Sequence, residues 1–151
     1  MLDMDFLDST FFKDQAASRS LPTPAEVVAL SVAANANPTQ PPPVRFEHLS
    51  LIVKFGPYVS VAEAQCLWAI KKFLGDRVRV PEVYAWRCVD GKVFIYMQLI
   101  HGKTLKERWE TLTCTERTDI CDQLCEVTDS LRLLEQGGDA FIGMRKVLPL
   151  V

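Results

Sequence analysis

Val83-Tyr84-Ala85-Trp86-Arg87-Cys88-Val89, then Asp90-Gly91, then Lys92-Val93-Phe94-Ile95-Tyr96-Met97-Gln98-Leu99 is the stretch on which the fold turns. Two runs rich in β-branched and aromatic residues flank a dipeptide suited to a two-residue hairpin turn. Pro81 precedes the first run and His101-Gly102-Lys103 breaks the second, so both predicted strands are bounded. Toward the N-terminus, residues 45–54 are mostly apolar or β-forming and end at Gly56-Pro57, with room for one long strand or a cramped pair. Between these strand regions, Ser60-Val61-Ala62-Glu63 has the capping-box spacing and predicts a helix to about Leu74, with Val61, Ala64, Leu67, Trp68 and Phe73 as its apolar face. A small antiparallel sheet with one packed helix, an α+β arrangement, follows from this order.

Further out, Thr23-Pro24-Ala25-Glu26 is a second helix start, with Thr23 as cap, Pro24 at the first helical position and Glu26 completing the box; the helix should reach about Ala34. Asn37-Pro38-Thr39-Gln40-Pro41-Pro42-Pro43 then forbids regular structure and reads as a polyproline-like connector. Phe6, Leu7, Phe11 and Phe12 either dock as one helical turn or stay mobile. On the C-terminal side a short helix is expected over residues 104–109. The Thr113-x-x-Glu116 box then opens the longest helix, whose stripe of Ile120, Leu124, Val127, Leu131 and Leu134 runs toward a stop at Gly137-Gly138. Phe141-Ile142-Gly143 onward reads as loop. The organisation expected is an N-terminal extension over 1–43, a sheet-and-helix lobe over 44–102 and a helical part over 103–151.

Composition narrows the function classes. With 17 basic and 19 acidic residues the formal charge is −2, which lacks the basic excess of a nucleic-acid binder. Residues 1–43 hold five acids and two bases, so the acidity sits at the front. No apolar stretch reaches the roughly 18 residues needed to span a membrane, and Met1-Leu2-Asp3-Met4-Asp5-Phe6 lacks the basic start of a secretory signal. The five cysteines, Cys66, Cys88, Cys114, Cys121 and Cys125, form no Cys-x-x-Cys pair and read as reduced thiols serving as small hydrophobes in a cytoplasmic protein. Cys121 and Cys125 share a helix face, but with only His48 and His101 to help them no metal site is expected.

One constellation carries chemistry. Lys54 falls at the end of a strand, where an ammonium reaches a phosphate, and Glu63 follows nine residues later in the first turn of a helix, where its carboxylate either pairs with Lys54 or completes the Ser60 box. The strand ending at Met97-Gln98-Leu99-Ile100 would present backbone N–H and C=O groups beside a cleft, suited to an adenine edge. On pattern alone Lys54 also reads as a solvated charge and Met97 as core. Trp68, Trp86 and Trp109 read as packing residues and His101 as a turn residue.

Ile52-Val53-Lys54-Phe55-Gly56, Val61-Ala62-Glu63-Ala64, Val80-Pro81-Glu82-Val83-Tyr84 and Ile95-Tyr96-Met97-Gln98-Leu99-Ile100-His101-Gly102-Lys103-Thr104-Leu105, in that order, resemble the amino-terminal lobe of the aminoglycoside phosphotransferase family, a protein-kinase-like family, and its fungal branch in particular. Leu21-Pro22-Thr23-Pro24-Ala25-Glu26 and Phe141-Ile142-Gly143 resemble it too, so the likeness covers roughly residues 44–143 and reaches back to residue 21. It implies a protein-kinase-like amino-terminal lobe followed by the helices of a truncated second lobe. It further implies ATP as the nucleotide, with Lys54 on its phosphates, Glu63 holding Lys54, Met97 at the back of the adenine pocket and the main chain of Gln98 and Ile100 bonding the adenine.

The same resemblance exposes what is missing. Phosphoryl transfer in this family uses an aspartate in a His-Gly-Asp loop, an asparagine five residues later and a second aspartate for magnesium, because metal ions must offset the charge spread over the transferring group. Here Lys103 follows His101-Gly102, the only asparagines are Asn35 and Asn37, and no Asp-Phe-Gly pattern supplies the metal site. No glycine precedes Lys54, so no glycine-rich hairpin covers the phosphates. The family activity, ATP-dependent phosphoryl transfer to a small-molecule hydroxyl, is therefore not expected of these 151 residues alone, no catalytic residue is assigned, and magnesium would enter only with the missing lobe. The alternative is a non-catalytic nucleotide-binding or protein-interaction module, self-associating or meeting a partner through the apolar face of helix 116–135.

Overall fold

The computed structural model describes residues 3–13, 19–34 and 37–134. Its centre is the hairpin read above: β4 (Val83–Val89) and β5 (Lys92–Gln98) pair antiparallel across Asp90-Gly91. Asp90 and Gly91 take φ of 50° and 71°, the left-handed pair that a two-residue hairpin turn demands. β5 pairs on its other side with β3 (Leu51–Gly56), and β3 with β2 (Val44–Phe46). Residues 45–54 thus form the cramped pair. A single 3₁₀ turn, Glu47–Leu49, and Ser50 at φ 50° reverse the chain between the two strands. The fifth strand, β1 (Met4–Asp5), lies antiparallel against β4, giving an all-antiparallel sheet in the order β1-β4-β5-β3-β2.

Alternation sorts the side chains onto two faces. Leu51, Val53, Phe55, Phe94 and Tyr96 face one way, covered by Phe11 of α1 (Thr10–Lys13) and Val27 of α2 (Pro24–Ala33). Ile52, Ile95, Met97 and Val83 face the other, covered by α3 (Val61–Leu74) through Val61 and Ala64. A register shift between Val83 and Ala85 lets Tyr84 and Ala85 both join the first cluster and returns Trp86 to the α3 face. Six large side chains, Tyr96, Phe94, Leu51, Ile95, Val27 and Val53, are fully buried. At roughly 1.5–3 kcal/mol for each such side chain, this central sheet supplies most of the driving force.

The helices obey their caps. Thr23 and Thr113 close the boxes with Glu26 and Glu116, and α5 (Cys114–Leu131) begins where the sequence placed it. A further box, Thr104 with Glu107, starts α4 (Leu105–Arg108). Ser60 makes no side-chain bond to the first turn of α3, so the box expected there does not form. Along α3 the buried residues are Val61, Ala64, Ile70 and Leu74, whereas Phe73, expected on the apolar face, is 65% exposed because it lies one position off that stripe. Ile70, Leu74 and Val78 meet Val127, Leu131 and Leu134 of the α5 stripe. The helical turns of α5 end at Leu131 with Arg132 as cap, and the expected stop at Gly137-Gly138 and the Phe141-Ile142-Gly143 loop lie outside the described residues. The expectation that the cysteines act as small hydrophobes fails for four of five: Cys66, Cys114, Cys121 and Cys125 are exposed, and only Cys88 packs against the core.

Candidate functional site

Lys54 lies in β3 between two core residues, Val53 and Phe55, and by alternation projects from the α3 face. Its cross-strand neighbour is Ile95, which is fully buried and anchors that register. Glu63 is the third residue of α3, in the turn that Val61 and Ala64 press onto the sheet. The two meet: Lys54 Nζ donates to Glu63 Oε1 at 2.6 Å. Because Ser60 caps α3 without a side-chain bond, the Glu63 carboxylate goes to the lysine. Its counterparts Glu26, Glu107 and Glu116 remain in their own caps, where the backbone N–H and then the hydroxyl of the capping threonine hold each carboxyl below its ordinary range. The Lys54 and Glu63 side chains are 40% and 36% exposed, so water screens the pair. Such a pair contributes about 0–1 kcal/mol to stability, and its main effect is to orient the ammonium.

Met97 stands on the same face, opposite Ile52, but is 8% exposed and packed with Val61, Ala64 and Ile95. Gln98 ends β5. The Leu99 N–H donates to the Ser50 carbonyl on one side, so the main-chain groups of Gln98 turn to the other, where its N–H meets the Glu82 carbonyl at 2.8 Å. Ile100 follows beyond the strand and is 61% exposed. The structure therefore brings Lys54, Glu63 and Met97 to one face, and places Gln98 and Ile100 at the end of the strand that Met97 occupies. The Gln98 N–H is already committed within the fold.

Two open recesses lie on the opposite face. One, of about 740 Å³, runs between α2 and the turn before β3, past Arg19, Glu26, Leu30, Phe46 and His48. The other, of about 340 Å³, is bounded by Thr10, Phe11, Tyr84, Gln98, Leu99 and His101. Neither touches Lys54, Glu63 or Met97. His101 sits on the surface with its Nδ1 3.8 Å from a Glu47 carboxylate oxygen. No group of three His, Cys, Asp or Glu side chains converges among the described residues.

Sequence reading missed the arrangement at the free edge of β4. Arg87 Nη2 donates to Asp5 Oδ1 at 2.6 Å and its Nη1 to the Met4 carbonyl at 3.0 Å, and the Cys88 N–H donates to Asp3 Oδ1 at 2.9 Å. Burial, with the Asp3 carboxylate adding to it, pushes the Cys88 thiol up. Phe6 stacks on Trp68 of α3 (6.0 Å between ring centres) and meets the Trp86 ring edge-on at 5.5 Å. A second missed cluster joins Thr10 to Glu82, by its N–H (3.1 Å) and by its hydroxyl, next to Tyr84. Only the alternation of Asp3 and Asp5 with apolar Met4 and Phe6 hinted at a strand in residues 3–6. Against family models, characterised proteins and solved structures alike, the chain has no match.

Proposed function

We propose that this chain is the nucleotide-binding portion of a phosphotransferase with a protein-kinase-like fold, similar to the aminoglycoside phosphotransferases, and that by itself it binds ATP weakly without transferring phosphate. The observation that carries this reading is the Lys54–Glu63 pair at 2.6 Å, made by a strand lysine and a first-turn helix glutamate on one sheet face. In protein kinases a strand lysine held by a helix glutamate must be in place for phosphoryl transfer. In this reading Lys54, still 40% exposed, takes the phosphate oxygens. Glu63 aims it, Met97 closes the base end, and the carbonyl of Gln98 and the amide of Ile100 approach the adenine edge. The donor set for magnesium is not assembled among the described residues, so the metal would come with the nucleotide or with a further lobe.

Titration calorimetry of the pure chain with ATP and magnesium tests the reading. Saturable binding is expected, weakened at least about tenfold in Lys54→Ala, which is a loss of about 1.4 kcal/mol, and less in Glu63→Gln. No turnover against hydroxyl acceptors is expected. Absence of heat with the unmodified chain, or equal binding by Lys54→Ala, overturns the proposal. A second reading, an interaction module, draws on one observation: Ile100, just past β5, and Leu105, Trp109 and Leu124 of the helical part are all more than a third exposed. Light scattering separates the two readings, since concentration-dependent self-association without nucleotide binding favours the second.

A further inference from the structure

The contacts of residues 3–6 form a ligand-like set. The segment lies on the outer edge of β4 with Met4 opposite Trp86 and Asp5 opposite Ala85, a ladder of only two residues. So short a strand gains little from pairing alone. What holds it is side-chain recognition. Arg87 takes the Asp5 carboxylate and the Met4 carbonyl, Asp3 accepts from the Cys88 N–H, the Phe6 N–H donates to the Tyr84 carbonyl at 2.9 Å, and the Phe6 ring enters between Trp68 and Trp86. The receptor side is built independently of the segment. Arg87 is also held by the Trp86 carbonyl at 3.0 Å and lies 5.9 Å from the Tyr96 ring centre, and Trp86 is fixed by its pairing with Ile95.

A row of cross-strand partners and α3 itself connect this edge to the lysine–glutamate pair. Met4, Trp86, Ile95 and Lys54 are successive cross-strand partners, one row across the sheet. On the helix side Phe6 rests on Trp68, in the same α3 whose first turn carries Glu63. Met4 and Phe6 therefore sit in the cluster by which α3 rests on the sheet, beside Val61, Ala64 and Leu67.

We propose that the outer edge of β4, with Arg87 on one face of the sheet and α3 on the other, is a binding site for a short acidic–aromatic strand of the form Asp-x-Asp-Phe, filled here by the chain's own residues 3–6, and that filling it fixes α3 so that Glu63 stays opposite Lys54. The mode is addition of a strand to a sheet edge, in which main-chain bonds give register and alternate side chains give specificity. Arg87 reads the acid, and the Trp68 and Trp86 rings read the aromatic. Phe6 is a positioning residue that acts on Glu63 through α3. This rests on the observed geometry of the pair and not on nucleotide binding, so a chain that ignores ATP leaves it standing.

The test uses the full-length chain with the strap disabled by Asp5→Lys and Phe6→Ala together, and a synthetic peptide of residues 1–9. Indole N–H resonances of Trp68 and Trp86 should shift in the variant, with Trp109 as the internal reference. The amides of Lys54 and of residues 61–64 should shift with them. Adding the peptide should return these signals toward their original positions in a saturable way. A peptide carrying Phe6→Ala should bind at least about tenfold more weakly, the loss expected for two aromatic contacts. A folded variant that shows no response to the peptide overturns the site. A variant whose Trp68 and Trp86 signals move while Lys54 and residues 61–64 do not overturns the positioning role. If the double variant does not fold, Asp5→Asn in the otherwise intact chain serves instead: faster hydrogen exchange at the Cys88 and Phe6 amides, ahead of global opening, is expected, and unchanged exchange overturns the proposal. A dimer with unshifted Trp68 and Trp86 signals would show the segment exchanged between copies and overturn the intramolecular assignment.

Discussion

The chain up to Leu99 and the chain after it are built on different principles. Every buried residue among those described lies between Ser9 and Leu99, and from Ile100 to Leu134 none is buried. The first region is held by non-local pairing: β3, β4, β5 and α3 bury apolar side chains on both faces of one sheet. The second is held by local signals, the Thr104–Glu107 and Thr113–Glu116 boxes, and by one contact of Val127, Leu131 and Leu134 with Ile70, Leu74 and Val78. Capping defines where a helix begins, but each cap is worth only about 1 kcal/mol, so a helix with caps and little burial opens easily.

The largest expected effect falls on the first region. Ile95→Ala or Phe94→Ala, the latter breaking the parallel stack with Phe55 at 5.1 Å, should destabilise by about 3–5 kcal/mol in urea unfolding. Leu124→Ala, at a residue 53% exposed, should change it by less than about 0.5 kcal/mol; equal costs would erase the contrast. Next, Leu131→Ala should cost about 1–2 kcal/mol and show first as faster hydrogen exchange along α5, leaving β4 and β5 protected. Smaller still, Thr113→Ala should cost about 1 kcal/mol, confined to α5, while Thr23→Ala should lower global stability, because α2 contributes buried Val27 to the sheet core.

pH sharpens the same contrast from both ends. For Glu107 and Glu116 the folded pKa is lowered from 4.5, so their contribution is present above that value and is lost as pH falls through the lowered one. Circular dichroism should show helix loss beginning in acid, and Thr113→Ala should flatten it. In alkali the sheet responds. Burial raises the Tyr96 phenol from 10.0 to about 12, so stability is full below pH 10 and falls toward pH 12 as the unfolded chain ionises first. Tyr84 shifts in the same direction, so phenolate absorbance should lag for these two residues until the sheet opens.

Much of this was legible because its signals are local. Asp90-Gly91 needs only its own backbone preferences, and the Thr23 and Thr113 boxes need only residues three apart. The meeting of Lys54 with Glu63 was legible as geometry, a strand end facing the first turn of the next helix, although the choice between lysine and Ser60 was decided only by packing. What was misread or missed has separate causes. Phe73 was placed by hydrophobicity, but helical phase puts Ile70 and Leu74 inside. The exposure of Cys114, Cys121 and Cys125 follows from α5 having so little to pack against, which no pattern within α5 reveals. β1 was invisible because its partners, Trp86 and Arg87, stand more than eighty residues away.

That separation bears on how the molecule is made. The bonds from Arg87 and Cys88 to residues 5, 4 and 3 span 82, 83 and 85 positions. At a synthesis rate of about 5–20 residues per second, the acidic–aromatic segment leaves the ribosome some 4–16 seconds before the strand edge that receives it exists. During that interval Phe6 and Trp68 have no sheet to pack on, and α3 can settle against β3 only once β4 and β5 arrive. Closure of residues 3–6 onto β4 thus waits for Arg87 and Cys88, and a nascent chain halted before Arg87 would hold Lys54 and Glu63 without the edge that keeps their helix in place.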